Sequence, residues 1–164
     1  ATRHMLVTGD TDILIWGVRA SCSDGDELMI PRAKRFLRWL DEGGHTLVWT
    51  ATAVTEYLVG AEKAQRENEL AILSSQYMVL PYDALAIAIA ADIRSDKDFI
   101  RSLGDSFGKT RVAVKSDVYI IATALAANVE KIYSNDGGLR TLANRVGLPA
   151  STLPTLEDMD ALSG

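Results

Sequence analysis

Short apolar runs alternate with amphipathic segments along most of the chain. Runs at residues 5–9, 46–50, 77–80 and 131–134 are short and end at Gly, Pro, Asp or a helix start, which predicts buried strands. A further run at 151–153 predicts a fifth, edge strand. The alternation of strands with helical segments predicts an α/β sandwich with a mainly parallel sheet. Such sheets bind ligands at the carboxyl ends of their strands.

Apolar spacing and helix-end signals predict the helices between these strands. Pro31 suits the first helical position and Gly43-Gly44 ends the segment 32–42. Asp83 is predicted to cap a long Ala/Ile-rich helix that runs through about Leu103, followed by a loop at 104–111. Further helices are predicted at 12–19, 52–60, 62–75, 117–128, 138–146 and 156–162.

Composition and charge bound the class of protein. The chain has 164 residues, 48% of them hydrophobic and 24% charged, which fits one globular domain. We expect residues 1–4 to be a non-native extension and residues 5–164 to form that domain. The net charge of −5 lacks the strongly basic footprint of a general nucleic-acid binder. Cys22 is the single cysteine and no run is long enough to span a membrane, which predicts a cytoplasmic protein without a membrane partner.

Four acidic residues stand at separate junctions between predicted elements: Asp10, Glu56, Asp117 and Asp136. Asp10 follows the first predicted strand and Glu56 follows the second. Asp117 precedes the helix that leads to the fourth strand, and Asp136 follows the fourth strand. If the first and fourth strands are neighbours, all four carboxylates face one cleft and repel one another. An all-oxygen pocket of this kind binds Mg²⁺ or Mn²⁺ and suits hydrolysis of phosphodiesters. With only two histidines in the chain, a histidine-based mechanism has little material.

Each acidic residue also has a purely structural interpretation. Asp10 and Asp117 stand where helix N-caps are expected, and Asp136 precedes a Gly-Gly turn. Glu56 fits a solvent-facing helix position. Asp12 is either a further ligand or a first-turn residue that complements the helix dipole. A functional site is therefore indicated by the four residues together and by none of them alone.

The order of these blocks resembles the PIN domain family, most closely the VapC-type toxins of toxin–antitoxin pairs. The matching pieces are Asp10-Thr11-Asp12-Ile13-Leu14-Ile15-Trp16, Thr55-Glu56 with Gly60, Lys115-Ser116-Asp117 with Ile121-Ala122-Thr123-Ala124-Leu125, and Ser134-Asn135-Asp136. The resemblance covers nearly the whole chain, from about Met5 to Leu153.

The resemblance implies a three-layer α/β/α sandwich around a five-stranded parallel sheet. It further implies an Mg²⁺- or Mn²⁺-dependent endoribonuclease, with the four acidic residues as its catalytic and metal-binding set and with Ser134 and Asp12 in supporting positions. A homodimer and a small antitoxin partner are also implied. The chain departs from the family at Asp12, where Asn is frequent, and at Gly137-Gly138-Leu139, where an extra acidic ligand is frequent.

Contacts with RNA must come from local basic groups. Lys109, Arg111 and Lys115 precede the third acidic residue and are the candidates, with Lys115 also able to offset acidic charge or touch phosphate. Solvated surface charge is the alternative. Single-stranded or looped RNA is the expected target class. The helices at 32–40 and 84–100 carry apolar stripes that fit either the core or a dimer or antitoxin groove.

Three other functions stay open at this point. A haloacid dehalogenase-type phosphatase also begins with a strand and Asp-x-Asp, as in Asp10-Thr11-Asp12, although Ile13-Leu14 replaces its usual turn. A PIN-like scaffold that binds RNA or protein without cutting is a second alternative. A free-standing ribonuclease of RNA processing is the third.

Overall fold

The strands form one parallel sheet in the order β3-β2-β1-β4-β5. This computed structural model describes residues 3–162. The strands are β1 (Leu6–Gly9), β2 (Thr46–Thr50), β3 (Met78–Leu80), β4 (Lys131–Tyr133) and β5 (Ala150–Ser151). Every neighbouring pair is parallel, so the predicted five-stranded sheet is confirmed, with β5 at one edge.

Helices cover the sheet and give the predicted α/β/α sandwich. They are α1 (Thr11–Leu14), α2 (Met29–Glu42), α3 (Ala51–Val59), α4 (Arg66–Gln76), α5 (Ala84–Ser95), α6 (Lys97–Phe107), α7 (Arg111–Ala126), α8 (Gly137–Arg145) and α9 (Leu156–Ala161). A π-helical turn, Ile15–Arg19, continues α1, and a 3₁₀ turn, Lys63–Gln65, precedes α4. No helix within residues 3–162 is both long enough and apolar enough to cross a bilayer.

The core lies between the sheet and its helices. Val7, Trp49 and Ile132 on the three central strands are at most 1% exposed, because both faces of a parallel sheet are covered. Helix α7 buries residues on more than one side, including Ile121 and Ala122, so it lies deep in the helical layer. This depth places the first half of α7, with Asp117, next to the strand ends.

The region from 84 to 111 differs from the sequence prediction. Asp83 does cap α5, accepting a hydrogen bond from the Ala86 amide at 3.0 Å. The prediction of one long helix through Leu103 is wrong, because the backbone leaves the helical conformation at Asp96. The Asp96 side chain then caps α6 by accepting a hydrogen bond from the Phe99 amide at 3.3 Å. The predicted loop at 104–111 is also wrong, since α6 runs to Phe107 and residues 108–110 alone connect it to α7.

The starts of α7, α2 and α4 also differ from the prediction; α4 begins at Arg66 and not at residue 62. Thr110 caps α7 by accepting a hydrogen bond from the Ala113 amide at 3.1 Å, so α7 begins at Arg111. Asp117 therefore lies inside the helix, and the N-cap interpretation of this residue is wrong. Helix α2 begins at Met29, so Pro31 stands at its third position. Pro is tolerated there because amides of the first turn have no partner within the helix.

Arg3 forms an ion pair with Glu130, which precedes β4. Residues 1, 2, 163 and 164 lie outside the described part. That residues 1–4 are a non-native extension before a single domain at 5–164 stays a prediction.

The pairing of β1 with β4 fixes the geometry of the strand ends. Gly9 pairs with Tyr133, so the residues that follow them, Asp10 and Ser134, come side by side. Gly9 allows this approach, because an added Cβ would lie 2.8 Å from the Ile13 side chain and 3.2 Å from the Trp49 ring, so one of these buried side chains would have to shift. The close approach of α1 to the strand ends depends on this missing side chain.

Candidate functional site

The structure places the acidic residues within electrostatic range of one another, near the carboxyl edge of the sheet. Asp10 follows β1, Glu56 lies in α3 directly after β2, and Asp136 follows β4. The charges act on one another: Asp136 and Glu56 both raise the pKa of Asp117, and Asp136 also raises that of Asp10. The acidic residues thus share one electrostatic environment.

Asp10 is the most buried of these acids, with 6% of its surface exposed. It stands at the N-cap position of α1, but its side chain makes no capping hydrogen bond. One carboxylate oxygen, Oδ2, accepts a hydrogen bond from the Ser134 hydroxyl, while Oδ1 is buried without a hydrogen-bond partner in the described residues. Burial, and then the neighbouring charge of Asp12, raise the pKa of Asp10 to about 7.

Ser134 connects the ends of β1 and β4. Its fully buried hydroxyl donates to Asp10 and accepts a hydrogen bond from the Asp136 amide at 3.0 Å. Its carbonyl accepts from Arg140 Nη1 at 2.9 Å. The serine hydroxyl therefore sets the orientation of the Asp10 carboxylate relative to the loop that carries Asp136.

Lys109 lies between two of the acidic residues. Its ammonium group forms ion pairs with the Oδ2 atoms of both Asp117 and Asp136. Burial raises the pKa of Asp117 to about 6 despite the opposing effect of Lys109. For Asp136, the burial cost is outweighed by Lys109 and by the α8 amides, so its pKa falls below the usual range. Burial alone would lower the pKa of Lys109, but the two carboxylates raise it above its ordinary value.

Asp136 has two roles, one on each carboxylate oxygen. Its Oδ1 caps α8 by accepting hydrogen bonds from the amides of Gly138 at 2.8 Å and Leu139 at 3.2 Å. The structural interpretation as a turn or cap residue is thus correct for one oxygen. The other oxygen, Oδ2, points to Lys109 and is available to a cation.

Gly137 and Gly138 make room for the 107–109 segment. A Cβ at Gly138 would lie 3.0 Å from the Lys109 Cδ atom, and one at Gly137 would lie 3.0 Å from the Phe107 ring. The two glycines, which depart from the family pattern, therefore leave the space through which Lys109 reaches the acidic residues from the α6–α7 connection.

Glu56 is held by a residue that the sequence analysis did not single out. The Thr11 hydroxyl donates a hydrogen bond to Glu56 Oε2 at 2.6 Å. Thr50 caps α3 by accepting from the Ala53 amide at 3.2 Å, which fixes the start of the helix that carries Glu56. The sequence signal that could have identified Thr11 is its position directly after Asp10, at the end of a predicted strand.

The structure separates the two remaining supporting candidates. Asp12 is solvent-exposed at the rim, where lost hydration and the nearby Asp136 raise its pKa. Lys115 is exposed on α7 and forms no ion pair within residues 3–162, so it does not offset the acidic charge in the predicted way. Lys109 holds that place instead. Its partners are 8 and 27 residues away in sequence, which local patterns do not reveal.

The fit of these residues to a divalent cation depends on their oxygen atoms. Within residues 3–162, no group of three or more His, Cys, Asp or Glu side chains converges closely enough to hold a metal ion. Two observations nevertheless suit a hard cation: the orphaned, buried Oδ1 of Asp10 and the pair of carboxylates that already accept an ammonium group. An all-oxygen donor set matches Mg²⁺ or Mn²⁺.

Comparisons with known proteins find chains of similar fold. The structure of VapBC2 from Rickettsia felis bound to a promoter DNA fragment contains a chain that is similar in fold (TM-score 0.60), with 15% identity over 92% of this chain and 100% of that one. VapBC-1 from nontypeable Haemophilus influenzae gives a TM-score of 0.59 and 17% identity, over 91% and 98% of the two chains. No curated protein sequence is significantly similar.

A family model gives the more direct assignment. The model of the PIN domain matches residues 10–145, a span that starts at Asp10 and includes Glu56, Asp117 and Asp136. The chain belongs to the PIN domain family.

Proposed function

We propose that the protein is an Mg²⁺- or Mn²⁺-dependent endoribonuclease that hydrolyses RNA phosphodiester bonds. Asp10, Glu56, Asp117 and Asp136 are its catalytic and metal-binding residues. The observation that carries the proposal is the buried Asp10 carboxylate, whose Oδ1 has no partner in the described residues and whose pKa is raised to about 7 beside other acidic groups. A buried acid with a perturbed pKa in a cleft is typical of a functional site.

Family membership supports the same chemistry. Members of the PIN family are nucleases, which favours phosphodiester hydrolysis over the phosphatase alternative. Asp10 is also poorly placed to serve as an exposed covalent nucleophile, because it is 6% exposed and hydrogen-bonded to Ser134. RNA, rather than DNA, is the substrate implied by the motif resemblance.

The residues of the chain have distinct parts in this mechanism. A divalent cation, when bound, lowers the pKa of a water molecule and offsets negative charge at the scissile phosphate. Asp10 and Asp117 supply carboxylate oxygens, with Ser134 orienting the first. Thr11 orients Glu56, and the amides of α8 keep Asp136 ionised. The carboxylates position groups and do not attack the phosphate.

The test is cleavage of a mixed, structured RNA pool by purified protein in Mg²⁺, in Mn²⁺ and in EDTA. We expect cutting with either metal and none in EDTA, with products that carry 5′-phosphate and 3′-hydroxyl ends. Asp10→Asn and Asp117→Asn should abolish it, while Asp92→Asn, an exposed carboxylate on α5, serves as the matched control. Full activity in both site variants overturns the assignment of these residues.

The toxin role is a finer part of the proposal. The two similar structures are named as VapBC complexes, which favours a toxin paired with an antitoxin over a free-standing processing enzyme. Leu85 and Ile87 on α5 are 56% and 52% exposed and mark a surface for a second copy or for that partner. In α2, by contrast, Phe36 and Leu40 are buried in the core. Light scattering of wild type and Leu85→Ser tests the homodimer: a monomer in both contradicts it.

A further inference from the structure

A cavity of about 460 Å³ lies between α5, α6 and α7, beside the acidic site. We call it the α5–α7 cavity. Its basic lining residues are Arg94, Lys97, Arg101, Lys109, Arg111 and Lys115. Asp105 is the one acidic residue that lines it. In a chain with a net charge of −5, this concentration of positive charge points to an anionic ligand.

Most of this charge has no protein counter-ion. Lys97, Arg101 and Lys115 form no ion pair within residues 3–162, and neither does Arg111. Arg94 also forms no ion pair within the described residues; it donates a hydrogen bond to the Tyr119 hydroxyl at 3.0 Å and lies 5.9 Å from the centre of the Tyr119 ring. The basic group on α2 differs, since Arg35 there pairs with Glu42 and Asp160.

Part of the lining of the α5–α7 cavity is apolar. Ile100, Val114 and Val118 line it together with the basic residues; Ile100 is half-buried, and Val114 and Val118 are buried. Apolar and cationic groups in one cavity suit a flat base with an attached phosphate better than they suit a simple inorganic anion. The volume of about 460 Å³ lies in the range typical of small-molecule sites, about 300–1,000 Å³, and accommodates one nucleotide.

Lys109 connects the α5–α7 cavity to the acidic site. Its side chain lines the cavity, while its ammonium group contacts Asp117 and Asp136. Arg111 and Lys115 precede Asp117 on the same helix. A nucleotide in the cavity therefore lies next to the phosphate that the acidic residues would act on.

We infer that the α5–α7 cavity binds one unpaired nucleotide of the RNA substrate, next to the scissile phosphate. Lys97 and Arg101 hold its phosphate, and the base lies on Ile100 and Val114. The inference deepens the proposed function and rests on it for the identity of the ligand. It makes single-stranded RNA the required form, because a base in a duplex is not free to enter a cavity.

The experiment measures RNA binding in EDTA, where no cleavage is expected. Fluorescence anisotropy of a fluorescein-labelled single-stranded RNA octamer, and of the same octamer in a duplex, is recorded at several salt concentrations. The variants are Lys97→Gln, Arg101→Gln and the double variant. Lys34→Gln and Arg38→Gln, exposed basic residues of α2, are the matched controls, and thermal unfolding confirms that every variant is folded.

We expect the double variant to weaken octamer binding at least about tenfold and to reduce the salt slope by about 0.7, for the loss of the one phosphate contact that the two residues share on a single strand. The controls should change binding less than about twofold, and the duplex should bind at least about tenfold more weakly than the single strand, since a paired base is not free to enter the cavity. Equal effects in the controls, or equal binding of the duplex, overturn the inference. So does equal affinity for a glutamate octapeptide, which would indicate a general polyanion surface.

A failure of the α5–α7 cavity assignment can be distinguished from a failure of the proposed nuclease function. If wild type cuts RNA with metal but Lys97→Gln and Arg101→Gln leave binding and KM unchanged, the α5–α7 cavity assignment fails and the nuclease assignment stands. If the octamer binds through these residues but no metal supports cutting, the α5–α7 cavity assignment stands and the nuclease assignment fails.

Discussion

Lys109, in the short connection before α7, forms an ion pair with Asp117 inside that helix. The same ammonium group pairs with Asp136 from the loop after β4. These two carboxylates are among those proposed to bind a divalent cation, so the lysine and the metal compete for the same oxygens. Lys109 is thus an internal counter-ion of the metal-free protein.

Replacement of Lys109 by Met should destabilise the metal-free protein and enhance its response to metal. Lys109 and Asp117 are each 13% exposed, and removal of one partner leaves two carboxylates without a counter-charge. Removing one partner of a fully buried ion pair costs about 3–5 kcal/mol; because the Asp136 side chain is 34% exposed, we expect a smaller loss of about 1–3 kcal/mol in the free energy of unfolding. Thermal unfolding with and without Mn²⁺ should then show a larger metal-induced rise in Tm than in wild type. Lys34→Met is the control, and an unchanged Tm with an equal Mn²⁺ response would contradict this role for Lys109.

Gly138→Ala should disturb the same contact from the opposite side. The added Cβ would lie 3.0 Å from the Lys109 Cδ atom and 3.3 Å from the Phe107 ring. Because the far end of a lysine moves easily, we expect a modest loss of stability, about 0.5–1.5 kcal/mol. The double-mutant cycle with Lys109→Ala is the measurement: the cost of Gly138→Ala should shrink once the lysine stem is gone. Strictly additive stability changes of the two single variants would show that Gly138 does not make room for the Lys109 side chain.

The strands and the acidic residues at their ends were predictable from sequence, and the lysine contact was not. Buried strands such as β2 read as apolar runs, and Asp10 and Asp136 follow such runs directly. Lys109 escaped because its position depends on Gly108, whose φ of +61° ends α6 and turns the chain towards α8. The turn at Gly108 brings Lys109 into contact with Asp117 and Asp136, which are 8 and 27 residues away in sequence.

The broken helix at Asp96 has a related explanation. Asp96 stands in a long segment of helical spacing, and a polar residue on an exposed helix face is unremarkable in sequence. Its side chain competes with the helix by capping α6 at Phe99, and Arg145 of α8 pairs with it. The sequence alone does not reveal that Asp96 ends one helix and caps the next, because its partner Arg145 is brought close only by the fold.

The stability of the metal-free protein should fall as the pH rises from about 4 to about 7. The folded-state pKa of Asp10 is about 7, above its ordinary value of 3.8, so the folded state binds this proton more tightly than the unfolded state. The neutral form is favoured in the fold, and stability is lost between about pH 4 and pH 7. Between pH 5.5 and 8, urea unfolding of wild type should lose about 2 kcal/mol more than that of Asp10→Asn. Parallel pH profiles for the two proteins would contradict the raised pKa.

Ser134→Ala should weaken the site through Asp10. The buried Oδ2 atom would lose its donor, and a buried acceptor left without a partner costs about 1–3 kcal/mol. We expect reduced stability and reduced cleavage, since the carboxylate loses its fixed orientation. Ser134→Thr keeps the hydroxyl and is the matched control. Equal kcat values for Ser134→Ala and wild type would show that the hydroxyl does not position Asp10 for the reaction.

The most direct measurement is calorimetric titration of Mn²⁺ into the metal-free protein at pH 7.5, for wild type, Asp117→Asn and Asp92→Asn. The account predicts saturable binding in wild type and in the Asp92→Asn control, and binding weakened at least about tenfold in Asp117→Asn, because that carboxylate supplies a metal ligand. Equal Mn²⁺ affinity in all three proteins, or no saturable binding in a folded wild-type protein, would contradict the assignment of these acidic residues to a metal centre.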